Sequence, residues 1–73
     1  MKAKDLIGRQ VIDADARVVG RIVDVDLDIS SASINNLILK SSWTKRHKIS
    51  PQDIEKVGDK IILKITKDKV QKA

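Results

Sequence analysis

Asp24, Asp26 and Asp28 stand at every second position, the D-x-D-x-D spacing that opens a calcium-binding EF-hand loop. Such a loop needs Gly at its sixth position and Glu at its twelfth, and Ile29 and Asn35 stand there. On a strand the three carboxylates lie ~6.7 Å apart along one face without converging. A solvated strand face is therefore expected, and no metal site. His47 is the one histidine, flanked by Lys45, Arg46 and Lys48, which repel a cationic metal, and neither Cys nor a second His adds a ligand. As a general base it needs a nucleophile and an orienting carboxylate, which the local sequence does not supply together. It is expected at an exposed strand position. Asp13 and Asp15 are better turn formers than paired catalytic acids, because Asp bonds its own backbone. Gly8, Gly20 and Gly58 are too scattered to cradle a phosphate. No nucleophile, base and stabiliser group together, so no catalytic residue, no cofactor and no enzymatic activity are expected.

Two surfaces are better suited to binding. Lys40, Lys45, Arg46 and Lys48 make a basic cluster able to meet backbone phosphates, with Trp43 beside it to stack on a base. Trp43 is the only aromatic residue, whereas single-strand binders use several stacking platforms. The cluster alone implies salt-sensitive binding without sequence readout. Trp43 next to a turn equally suits a half-buried anchor at a protein interface, where Trp is enriched among the residues that dominate binding.

The elements that must position these residues are strands. Apolar residues are 41% of the chain, mostly Ile, Val and Leu, in short runs broken by turn signals. Arg9 to Ile12 is a first strand, and Asp13 to Arg17 turns it into a hairpin with Val18 to Leu27. There Val23, Val25 and Leu27 alternate with the three aspartates, one face core and one wet. Gly20 interrupts the alternation, where a bulge or barrel corner is expected. Ser30 to Ser33 turn into a third strand, Ile34 to Lys40, with Leu37 and Leu39 on one face and Ile34, Asn36 and Ile38 on the other. Lys45 to Ile49 is a short fourth strand whose basic content suits a sheet edge.

Ser50-Pro51-Gln52-Asp53 carries helix-start signals, a Ser cap, Pro at the first position and an acid three residues after the cap. One helical turn near residues 51–56 is predicted, burying Ile54 and Val57 and ended by Gly58 in a left-handed conformation. Lys60 to Ile65 is the last strand, with Ile61, Leu63 and Ile65 on one face and Ile62 on the other. Thr66 to Ala73 is predicted to fray, so the core is about residues 5–66 and 67–73 a basic flexible tail.

Length and charge bound the rest. Seventy-three residues make one domain, and a chain this short buries only about 60% of its unfolded surface. Without cysteines it lacks the disulfides and Cys metal sites that staple many small domains. Good packing or oligomerisation must substitute. Ile34, Ile38 and Ile62 leave aliphatic groups on both sides of the sheet with no chain left for a second layer, so a homodimer is expected. The net charge is +5, and residues 37–73 alone carry ten basic and four acidic groups. That favours an acidic partner or simply keeps the chain soluble. No apolar run reaches the ~18 to 20 residues of a membrane span, and no signal-peptide core follows the first residues. A cytoplasmic protein is expected.

Taken in order, the segments Gly8 to Asp13 (G-x-x-V-x-D), Gly20 to Val25 (G-x-[IV]-x-D-V), Leu37 to Lys40 (L-x-[LV]-K), Ile49 to Ile54 ([IL]-[PS]-x-x-D-[IV]) and Gly58 to Ile62 (G-D-x-[IV]-[IV]) resemble the PRC-barrel family over about residues 5–66. One departure stands in the first turn. The family usually reads D-x-x-G-x-x-[IVL]-G, and this chain reads DADARVVG, with Ala16 where Gly relaxes the bend. The resemblance implies an all-β fold, a small antiparallel barrel of five to six strands with no catalytic residues. It implies three settings: the cytoplasmic part of the photosynthetic reaction-centre H subunit, the second domain of the ribosome-maturation factor RimM, and small stand-alone archaeal proteins. The stand-alone class fits best. It suggests a dimeric scaffold in archaeal cell division that links to SepF, the membrane anchor of the tubulin-like FtsZ, or to a paralogous barrel protein, with no direct membrane insertion. Ile34, Ile38, Trp43 and Ile62 are then the candidate dimer or partner surface, and Lys40, Lys45, Arg46 and Lys48 the candidate basic contact surface. The alternative is a RimM-like role in RNA metabolism, in which the basic stretch meets rRNA or a ribosomal protein.

Overall fold

The computed structural model describes all 73 residues. Its elements run α1 (Ala3–Leu6), β1 (Gln10–Ile12), β2 (Val18–Asp28), β3 (Ser33–Lys40), β4 (Arg46–Ile49), a 3₁₀ turn (Pro51–Asp53), β5 (Ile54–Val57), β6 (Ile61–Leu63), a second 3₁₀ turn (Lys67–Lys69) and β7 (Gln71–Lys72). The strands form one sheet in the order β5-β6-β1-β2-β3-β4-β7, curled into a half-barrel.

Alternating aliphatics on the inner side fill the core: Val11, Val19, Ile22, Leu37, Leu39, Ile49, Ile61 and Leu63 are buried, with Leu6, Val25, Ile54, Ile65 and Val70 packed around them. At about 1.5–3 kcal/mol for each fully buried side chain, this cluster is the main reason the sheet curls.

The β1–β2 hairpin closes through a three-residue loop. Asp13 N–H donates to Arg17 O at 2.8 Å, and Ala16 N–H donates to Asp13 O at 3.0 Å. A turn of this length ends in a left-handed residue, normally Gly; here Ala16 takes that place at φ 65°. The buried Asp13 carboxylate, 1% exposed, fastens the loop. It accepts from Asp15 N–H (2.9 Å), Arg17 N–H (2.7 Å), Arg17 Nε (3.0 Å) and Lys67 N–H (2.7 Å). Burial pushes its pKa up, but these hydrogen bonds outweigh burial and hold it at about 2 against the ordinary 3.8. Asp13 thereby joins the first hairpin to the C-terminal segment.

Three bulges shape β2 and β3. The pairing steps from Val11↔Gly20 to Ile12↔Val18, which makes Val19 an extra residue beside Gly20, where the bulge was expected. Gly20 is required by space: a Cβ there would lie 2.6 Å from Lys40 O. A second bulge falls at Val23, between Ile22↔Leu39 and Asp24↔Ile38, and a third at Asn35, between Asp26↔Asn36 and Leu27↔Ile34. Each extra residue shifts which side later residues face.

Several expectations change. There are seven strands, not five to six, and β1–β6 is parallel in an otherwise antiparallel sheet. The helical turn stops at Asp53, after Ser50 N–H bonds Asp53 Oδ2 at 3.0 Å, and residues 54–57 form β5 against β6. Val57 is therefore exposed, and Gly58 is not left-handed. The stretch expected to fray is built in: Lys67 N–H reaches Asp13, and β7 pairs with β4. That pairing removes β4 from the edge position its lysines suggested. The helix α1 had no strong sequence signal, although Asp5 Oδ2 accepts from Lys2 N–H at 3.0 Å to hold its first turn.

Candidate functional site

Cross-strand pairing places the basic residues. Lys40 is paired with Arg21 on one side and Arg46 on the other, opposite the side of the buried Leu39. Three cations thus stand in one row across β2, β3 and β4 on the outer face. Lys48 belongs to the next row, beside Ile38, whose other neighbour is Asp24. Lys45 precedes Arg46 and accepts Ser41 N–H at its carbonyl (3.1 Å) to close the Ser41–Thr44 loop. Lys40, Lys45, Arg46 and Lys48, named from the sequence, are therefore brought together. Arg21 joins them unforeseen, because only the β2–β3 register reveals it.

All three ion pairs of the chain gather on Arg17, with Asp13, Asp15 and Asp68 at 3.0, 3.8 and 3.6 Å. The Arg17 guanidinium pKa is raised, first by its hydrogen bond to Asp13. No carboxylate lies within ion-pair distance of the Arg21–Lys40–Arg46 row. Arg21 instead donates to Gly8 O at 2.8 Å.

Trp43 is not half-buried: 91% of it is exposed, and Lys40 Nζ lies 5.2 Å from its ring centroid. That is cation–π range. His47, expected to be exposed, is half-buried on the side of Leu39, because β7 covers β4. Its Nε2 is 3.1 Å from Ser41 Oγ, and its buried Nδ1 has no hydrogen-bond partner. Thr44, Lys45, Arg46, His47, Lys72 and Ala73 line a shallow depression of ≈ 290 Å³ next to the basic row.

The candidate apolar surface divides. Ile62 is on the outer face beside Ile12, which in turn pairs with the exposed Val18. Ile38 is on the outer face too, but three strands from Ile62 in sheet order. Ile34 leaves that face: the Asn35 bulge pairs it with Leu27, on the side of Val25 and Leu37. Leu27, expected in the core, is exposed with Ile34 near the hairpin tip, as is Ile29 at 82%. Val18, Leu27 and Ile29 were missed as surface; Leu27 keeps to the side of Val25, as alternation predicts, but lies past the end of the core at the hairpin tip. Ile29 next to a Ser-rich turn was the available signal.

The three aspartates keep to the outer face from Asp24 onward. Asp24 Oδ1 accepts Val25 N–H at 2.8 Å, and Asp28 accepts from Ser30 Oγ at 2.6 Å and from two backbone N–H groups of the turn. The hydrogen bonds of Ser30, and then those of Ser31, lower the Asp28 pKa.

A family model for the PRC-barrel domain matches residues 1–70. The chain belongs to the PRC-barrel family. No curated protein matches it. PRC-barrel domains are small interaction modules and not typically catalytic. The seven-stranded curled sheet is a small all-β barrel of this type, and none of its helices is long and apolar enough to cross a membrane.

Proposed function

We propose that this PRC-barrel protein is a non-enzymatic scaffold in which two copies pair through exposed aliphatic surface and the pair holds a protein partner. One observation carries the reading: a sheet already wrapped around its own core still presents Ile12, Val18 and Ile62 on its outer face and Leu27, Ile29 and Ile34 at the β2–β3 hairpin tip. Apolar groups grouped in this way, and rimmed by charge, mark interaction surfaces. In this reading the protein works in archaeal cell division, in the cytoplasm, with SepF or a paralogous PRC-barrel protein as partner, the setting suggested by its resemblance to the small archaeal members of the family.

Light scattering on the purified chain tests the pairing, and capture of purified SepF tests the partner. A particle of about twice 8.1 kDa that retains SepF at moderate salt is the expected result. A monomer of 8.1 kDa that instead recovers ribosomal proteins overturns the scaffold and moves the protein to the ribosome-associated setting.

A further inference from the structure

The Arg21–Lys40–Arg46 row has a cost within the fold. Like charges directly opposite one another weaken a sheet, and neighbouring strands hold these side chains only ~4.8 Å apart at the backbone. No carboxylate offsets that repulsion, since every ion pair of the chain is spent on Arg17. Lys45 and Lys48 add to the same field. Asp24, on this face, lies one row away and in no ion pair.

Above the row stands the Ser41–Thr44 loop, with Trp43 almost wholly in solvent. Lys40 covers one face of the indole and leaves the other open. A free aromatic face costs exposed apolar area, and it adjoins a cationic track that lacks an anion. The ligand that meets both demands is a polyanion carrying flat rings.

We propose that this face binds single-stranded nucleic acid, with unpaired phosphates along Arg21, Lys40 and Arg46 and one base stacked on the open side of Trp43. A duplex is disfavoured because its base faces are already covered. An anionic membrane is disfavoured because the loop around Trp43 is Ser41, Ser42 and Thr44, with no aliphatic residue to insert. An acidic peptide satisfies the cations but leaves the ring unused. With one stacking platform, binding is short-footed and sequence-tolerant. The row shares the outer face with Ile12 and Val18, whose pair lies next to the Gln10–Arg21 pair, so oligonucleotide binding and particle mass are measured side by side to tell the two readings apart.

Trp43 is the only tryptophan, so its emission reports the site directly in the intact chain. Titration with a 12-nucleotide oligo-uridylate at low salt is expected to quench it saturably. The logarithm of affinity should fall against log salt with a slope of about −2 to −3.5, from three to five phosphate contacts at ~0.7 each. With end-labelled oligonucleotide followed by anisotropy, W43A should weaken binding about 5- to 150-fold. K40Q/R46Q should lower both affinity and slope, while K56Q/K60Q, with the same change of charge on the β5–β6 hairpin, should leave both nearly unchanged. Circular dichroism checks that each variant folds, and light scattering that none changes mass. Equal losses in the two double variants would reduce the effect to net charge and overturn the site. So would quenching absent with oligonucleotide but a blue shift on anionic vesicles, or binding of polyglutamate alone with no change at Trp43.

Discussion

Ala16 sits at φ 65°, a conformation that costs an L-residue with a Cβ about 1–2 kcal/mol. Replacing it by Gly removes that cost, while the greater freedom of Gly in the unfolded chain returns about 0.5–1 kcal/mol. The hydrogen bonds of the loop run through backbone atoms and the Asp13 carboxylate, and none uses the Ala16 side chain. The net for Ala16→Gly is therefore a stabilisation of about 0.5–1 kcal/mol, which in a domain this small raises Tm by roughly 2–8 °C. Ala14→Gly, in the same loop with a negative φ, supplies the control and should lose about 0.5–1 kcal/mol. Thermal unfolding followed by circular dichroism, with chemical denaturation as a check on the slope, measures both. If Ala16→Gly melts at or below the parent while Ala14→Gly behaves alike, the left-handed strain at Ala16 is not stored in the fold and the argument fails.

Gly20→Ala should lose about 1–3 kcal/mol or more in denaturant unfolding, because the new methyl meets the backbone of Lys40 and Ser41, which cannot swing aside. The Asp13 carboxylate has a folded pKa of about 2, below its ordinary 3.8, so its stabilisation is complete above pH 4 and is lost as pH falls toward 2. Acid titration of stability should show that fall in the parent, and Asp13→Asn should flatten it while lowering stability at neutral pH. Leu39→Ala, in the core, should cost about 2–5 kcal/mol. Ile29→Ser at the exposed hairpin tip should change monomer stability by less than about 0.5 kcal/mol yet reduce the mass seen in light scattering.

What was legible in the sequence was whatever repeats with period two. Leu37, Leu39, Ile61 and Leu63 alternate cleanly, and all four are core. The Ser50–Asp53 turn was legible from its cap chemistry. What escaped was set by single extra residues and by distant pairing. The bulges at Val23 and Asn35 have no composition of their own, yet one turns Val25 and Leu27 to the side of Ile22 and the other parts Ile34 from Ile38, while Leu27 is exposed because the hairpin tip runs past the core. The parallel partner of β1 lies too far along the chain for any local pattern to announce it. At the candidate site, Lys40, Lys45, Arg46 and Lys48 cluster in sequence and so in space. Arg21 enters only through the register of a neighbouring strand. The departure at Ala16 was visible as a missing Gly, and its left-handed backbone is where that difference is expressed.

The parallel pairing of Val11 with Ile61 and Ile12 with Ile62 also decides when the protein becomes itself during synthesis. The hairpins of β1, β2 and β3 form in microseconds once their residues are free. The strand that closes the other side of β1 is made fifty residues later, roughly 2.5–10 s at ordinary translation rates. Throughout that interval the nascent chain carries an open β1 edge, and Asp13 waits for Lys67 with one of its hydrogen bonds unmade. Folding is thus completed by residues 61–73, and removing them would take away both the partner of β1 and the anchor of Asp13.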